Sequence, residues 1–208
     1  VPVLAVDLPD GKIKAVLCGY AWQNRSLAVK QWCGEYAGLA KIALEKSHPG
    51  AQAMFMMGCG GDQNALPRRE LNLGERYGHM LASAVEEVLI APPRKLSPEL
   101  VTRMEMVTLK FGAPLTSEEL EKLKDDAAAP TRRWASRWLA HLKAGNPVPR
   151  EYPFPMQAWK FGGSQLLLTL GGEPVVDYAL KFKQEFGPQT WVAGYCNDVM
   201  TYLPSLRV

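Results

Sequence analysis

Four times in this chain an apolar, strand-like run leaves through glycine into amides and acids. The four exits are GYAWQN (19–24), GCGGDQN (58–64), LGGE (170–173) and GYCNDVMTY (194–202). Glycine costs backbone entropy on folding, so its repeated use at strand ends marks forced turns or close backbone approaches. Ligands of open α/β sheets bind outside the carboxyl ends of the strands. Four such exits on one sheet edge would therefore build one polar site, and this pattern constrains the fold more than any single motif does.

The segments between the exits alternate. Residues 12–21 (KIKAVLCGYA) read as a buried strand, and residues 35–47 (EYAGLAKIALEKS) carry apolar positions at helical spacing until His48-Pro49-Gly50 stops them. Residues 51–58 form a second strand, and a helix follows over about 70–90, ended by Pro92-Pro93. Residues 101–111 alternate like a strand with one wet face. Thr116 with Glu119 forms a capping box for a charged helix, and a further helix carries Trp134 and Trp138 one turn apart. Residues 145–155 (GNPVPREYPFP) read as a proline-rich connection. Residues 156–162 and 164–172 can pair as a hairpin around Gly162-Gly163. Glu173-Pro174 is expected to open an amphipathic helix over 175–186, since proline suits the first helical position, and 190–196 is a last strand. The order predicts an α/β fold, a layered mixed β-sheet with helices packed on it. The charged stretch at about 113–150 interrupts the alternation and reads as a helical insertion, with Trp134 and Trp138 expected to be partly exposed.

Composition narrows the partners. The chain has 208 residues, enough to bury a core without staples. A net charge of +3 with dispersed basic residues gives no argument for nucleic acid. Arg132, Arg133 and Arg137 read as a solvated helix face. No apolar run reaches the roughly 20 residues that span a bilayer, and no signal peptide is visible. None of Cys18, Cys33, Cys59 and Cys196 stands in a C-x-x-C pair, so a zinc ribbon is not expected. Cys18 and Cys59 sit in apolar runs and read as buried free thiols.

The glycine loop at 58–64 is not a nucleotide cradle. No lysine follows its glycines, and GCGGDQ lacks the third glycine of the dinucleotide fingerprint. Two readings stand for Asp62 and Asn64. One is an Asx-type turn in which the side chains bond the local backbone; the other is a loop that turns backbone N–H groups and polar side chains toward a substrate. The convergence of four exits favours the second.

Taken together, GCGGDQN-x-LPRR, LGGE-x-VVDYAL and WVAGY-x-NDVM-x-YLPS resemble the neutral/alkaline (non-lysosomal) ceramidase family, in its bacterial ceramidase-like branch. The resemblance runs from about residue 12 to the C-terminus. It implies that residues 1–208 are the C-terminal part of that family's catalytic domain, with the insertion at about 113–150, and that the chain stops before the family pattern ends. The family's enzymes are zinc amidohydrolases that cleave the N-acyl bond of ceramide, their zinc held by two histidines, a glutamate and a tyrosine. The resemblance assigns the metal positions to Glu173, Tyr202 and Gln23, with Gln23 standing where the family has histidine. The second histidine belongs to a His-Thr-His stretch upstream of anything present here. It also points to Asp62, Asn64 and Asn197 as catalytic-site residues, although the family's serine has no counterpart in Gly61-Asp62-Gln63-Asn64.

Zinc favours imidazole and thiolate ligands, and three protein ligands are the usual catalytic set. Glu173, Tyr202 and the carboxamide of Gln23 are a poor match to that, so zinc is expected to bind weakly or not at all. His48, His79 and His141 do not repair the deficit. Without the resemblance, Glu173 would read as a helix N-cap carboxylate and Tyr202 as a half-buried aromatic. Two functions follow as expectations. One is an amidohydrolase of ceramide or a related amide, impaired by the missing histidines. The other is a metal-free member that binds a small lipid or amide ligand, or a partner, in the same cleft. The resemblance further implies export to the cell envelope or beyond, and it allows contact with a membrane surface.

Overall fold

The computed structural model describes all residues, Val1–Val208, and divides them into two units. The first comprises Val1–Glu105 with Pro155–Val208, and the second Met106–Phe154. The architecture is mixed α/β, with three small sheets and five helices.

In the first unit, β1 (Val3–Asp7) pairs antiparallel with β2 (Ile13–Tyr20), and β2 pairs parallel with β3 (Gln52–Met57). Helices α1 (Glu35–Ser47) and α2 (Leu71–Ile90) pack on one another and on this sheet. The shared core holds Val16, Cys18, Tyr36, Ala40, Leu44, Leu81 and Val85. The helical spacing puts Tyr36, Ala40 and Leu44 on one buried stripe of α1. Burial holds the thiols of Cys18 and Cys59 protonated, with their pKa values pushed up to about 11 and about 12.

Strands β4 (Leu100–Lys110), β5 (Glu151–Phe161), β6 (Gln165–Leu170) and β8 (Trp191–Ala193) line up in that order in a second sheet. The β5–β6 hairpin turns through Gly162 and Gly163 at φ +56° and +67°. Both positions need the left-handed region that glycine enters freely. Strand β8 runs parallel to β6, and α5 (Val176–Phe186) packs beside it. The indole of Trp191 fills the space over Gly19 of β2, where a Cβ would lie 2.7 Å from the ring. The second unit holds α3 (Ser117–Leu123) and α4 (Ala129–Lys143), whose small core is Leu120, Ala135 and Leu139. Thr116 and Glu119 form the reciprocal capping box. Trp138 packs on this cluster, and Trp134 is 44% exposed. No helix is long and apolar enough to cross a membrane.

Two expectations need correction, and one strand falls outside the expected pattern. Glu173-Pro174 does not open a helix. It is a short strand, β7, paired in parallel with β9 (Tyr202–Leu203), and α5 starts at Val176. The cause is tertiary: the Pro174 carbonyl accepts from Gly61 N–H at 2.9 Å, which holds the residue in the sheet. The proline-rich stretch is only partly a connection, since β5 begins at Glu151 and runs through Pro153 and Pro155. Strand β1 lies outside every element expected from the pattern.

Candidate functional site

The four strand exits meet, joined by backbone hydrogen bonds. Gly58 N–H donates to Tyr20 O at 2.9 Å, and Gly194 N–H to Met57 O at 3.0 Å. Tyr195 N–H donates to Gly172 O at 3.0 Å, and Gln23 N–H to Gln63 O at 3.1 Å. The carboxyl ends of β2, β3, β6 and β8 are thus stitched into one rim. Gly172 stands at φ +62°, while Gly60 and Gly61 permit it by absence of bulk. A Cβ on Gly60 would lie 2.5 Å from the Ala21 carbonyl oxygen, and one on Gly61 2.9 Å from the Glu173 carbonyl oxygen.

The segment after β2 carries Gln23 and is held from two sides. The hydroxyl of Tyr36 donates to Trp22 O at 2.5 Å. The carboxylate of Glu35 accepts from Ser26 N–H at 2.5 Å and from the Ser26 hydroxyl at 2.7 Å. Ser26 is fully buried, so this carboxylate fixes the loop from within. Glu173 is fixed by the β7–β9 pair, in which it stands opposite Tyr202 and donates its N–H to Thr201 O at 2.9 Å.

Gln23, Glu173 and Tyr202 line one cavity of about 430 Å³, together with Asn24, Arg25, Met57 and Tyr195. Inside it, Gln23 Nε2 donates to Glu173 Oε1 in a short hydrogen bond. Gln23 is 7% exposed, and its Oε1 is buried with no partner. The hydroxyl of Tyr195 is likewise buried, near the Gln23 and Glu173 side chains but with no well-formed hydrogen bond. Its pKa lies far above the usual phenol range, raised first by burial and further by the Glu173 carboxylate, while the Gln23 side chain opposes. Tyr195 is therefore a neutral donor. It follows Gly194 directly in the fourth exit motif, and that position was the available sign of it. Tyr202 stands at the rim, 53% exposed.

The other three expected site residues are engaged elsewhere. Asp62 Oδ1 accepts from Val176 N–H at 2.9 Å, the first N–H of α5, and Asp62 Oδ2 lies 3.4 Å from the Arg207 guanidinium. The carboxylate is drawn there by the positive end of the helix dipole. Asn64 Oδ1 accepts from Arg68 at 2.9 Å. Asn197 is exposed at φ +67°, shaping the turn beyond β8. These three do not join Gln23 and Glu173 in the cavity. Asp62→Ala is expected to destabilise the fold by about 1 kcal/mol through loss of the cap, read as a shifted urea midpoint. Asp62→Asn, which keeps an acceptor, should recover most of it. No shift for Asp62→Ala would contradict the capping role. Of the histidines, His48 pairs with Glu86 at 2.9 Å, His141 meets Pro147 O at 3.0 Å, and His79 is exposed on α2. No group of three His, Cys, Asp or Glu side chains is arranged to hold a metal ion.

No family model matches this sequence, and no curated protein matches it. Two solved structures share its fold. The neutral ceramidase from Pseudomonas aeruginosa superposes with a TM-score of 0.68 at 14% identity, over 98% of this chain and 40% of that one. A ceramidase complexed with C2 gives 0.63 at 16% identity, over 97% of this chain and 41% of that one. This chain spans about two fifths of the length of either structure. At such identities the likeness is one of fold.

Proposed function

We propose that this ceramidase-like fold uses the Gln23–Glu173–Tyr195 cavity to bind an amide-containing ligand of the N-acyl type, and that it does so without zinc. The observation that carries the reading is the buried pair of polar groups beside Glu173: the Gln23 carboxamide oxygen, which has no donor, and the Tyr195 hydroxyl, which lies near Gln23 and Glu173 without a well-formed hydrogen bond. A buried polar group left unpaired costs about 1–3 kcal/mol. A secondary amide brings one N–H and one carbonyl, the complement of that deficit. Its N–H would donate to Gln23 Oε1 and its carbonyl would accept from the Tyr195 hydroxyl. Met57 and the ring of Tyr202 offer apolar surface to an acyl chain at the same cavity.

The residues present do not fit the zinc that the resemblance implies. The donor set is all oxygen, with one carboxylate, and Glu173 Oε1 already receives the Gln23 amide. That amide stands at the carboxylate where a cation would stand. Turning it over would set two acceptor oxygens against each other. Zinc prefers nitrogen and sulfur ligands, so this set is weak in kind as well as in number.

The test compares an N-hexanoyl amide with the matching hexanoyl ester by calorimetric titration. The amide is expected to bind about fivefold tighter, since the ester has no N–H for Gln23 and one hydrogen bond contributes about 1 kcal/mol. Tyr195→Phe should weaken both ligands. Equal affinities for amide and ester would count against the reading. A second reading, hydrolysis of the same bond, draws on the ceramidase-like fold and on Glu173 and Tyr202 sharing one cavity. Release of free amine during the titration would favour it over binding alone.

A further inference from the structure

We propose that the exposed strand β4 pairs antiparallel with β4 of a second copy of this chain, centred on Met104. Strand β4 ends the order β4-β5-β6-β8, so one of its edges has no neighbour in the sheet. It is 11 residues long, and all but Leu109 are exposed. Leu100, Val101, Met104 and Met106 are each at least half exposed. A long, flat edge with unpaired N–H and C=O groups is a template for another strand. Edges are commonly guarded by proline, by a bulge or by charged side chains. LVTRMEMVTLK has no proline or glycine, and its central charges, Arg103 and Glu105, have opposite signs.

Those charges select the partner. In an antiparallel pair about Met104, Arg103 of one copy faces Glu105 of the other, and the two-fold axis repeats the pair. Val101 then faces Val107, an apolar pair on the same strand face. Within one chain Arg103 already donates to Glu105, so the dimer closes a ring of four alternating charges. A slip of one residue in either direction about the axis sets Arg103 against Arg103 or Glu105 against Glu105. Directly opposed like charges destabilise a cross-strand pair. The strand is thus self-complementary in one register and repulsive in its two neighbours, as a two-fold interface requires.

Sedimentation velocity over a concentration series tests this on the full chain. The unmodified protein should self-associate from its 23.0 kDa monomer. Arg103→Glu alone and Glu105→Arg alone should each weaken association about tenfold or more, because each opposes like charges across the axis. Mixing the two single variants should restore a dimer, and so should the double exchange R103E/E105R within one chain. Both substitutions lie on an exposed strand, so circular dichroism should be unchanged. Two results would overturn the proposal. One is a protein that stays monomeric at every concentration. The other is a dimer indifferent to Arg103→Glu, which would put the interface elsewhere.

Discussion

Gln23→His is expected to produce the largest change in ligand chemistry available from one substitution in this chain. The side chain at position 23 is buried, held on a pinned loop and directed at Glu173. An imidazole there would set a nitrogen donor beside a carboxylate, with the Tyr202 phenol close by across the β7–β9 pair. Zinc affinity should rise by about 10–100-fold, the range over which the loss of even an outer partner of a metal ligand is felt. Two protein ligands and a phenol still fall short of a catalytic set with two imidazoles, so amide hydrolysis should not appear with the substitution alone. Amide binding should fall at the same time, because the Gln23 carboxamide oxygen is gone. Titration of both proteins with zinc in the presence of a competing indicator reads the effect. Identical zinc affinity before and after would mean that position 23 does not face the metal position of the family.

Gly60→Ala is expected to be the most damaging small substitution. The added Cβ would sit 2.4 Å from Met57 Cε and 2.5 Å from the Ala21 carbonyl oxygen. The methionine tip can move aside, but the carbonyl is backbone at the exit of β2, and displacing it disturbs the segment that carries Gln23. Overpacking of this kind costs about 1–3 kcal/mol, which for a chain of this length lowers Tm by about 3–10 °C. The same methyl would also lie 3.2 Å from the Tyr195 hydroxyl, so amide binding should weaken beyond what stability explains. Gly112→Ala is the control. Nothing lies within 4 Å of a Cβ there, and a surface change of that sort is usually worth less than about 0.5 kcal/mol. Equal melting temperatures for the two variants would sink the account of the glycine loop.

Local physics made much of the fold legible. Helix α1 begins and ends at Glu35 and Ser47, where apolar spacing and the His48-Pro49-Gly50 stop put it. The capping box of α3 and the double-glycine hairpin of β5 and β6 depend only on residues a few positions apart. The misplaced elements depend on distant partners. Strand β1 is five residues without alternation, and its evidence is β2 lying alongside. Pro174 suits a helix start in isolation, but Gly61 captures its carbonyl and Gly194 leaves room for its ring. The candidate site divides in the same way. The family resemblance, not local pattern, pointed to Gln23, Glu173 and Tyr202, and the three line one cavity. Asp62 looked equally suited to chemistry, but its carboxylate is taken by α5 and Arg207, elements more than 110 positions away in sequence. Tyr195 carries no signal in the sequence beyond following a strand; only its burial beside Gln23 and Glu173 distinguishes it.

On the proposed reading, the Gln23 amide takes the place at Glu173 that a metal ion would hold. The most direct measurement is the zinc content of the unmodified protein after equilibration with zinc and dialysis against a weak chelator. Zinc is expected far below one equivalent, together with amide binding that is unchanged by the chelator. Near-stoichiometric zinc that survives dialysis would contradict it, and would mean that Glu173 and Tyr202 are completed as a metal site by groups other than Gln23.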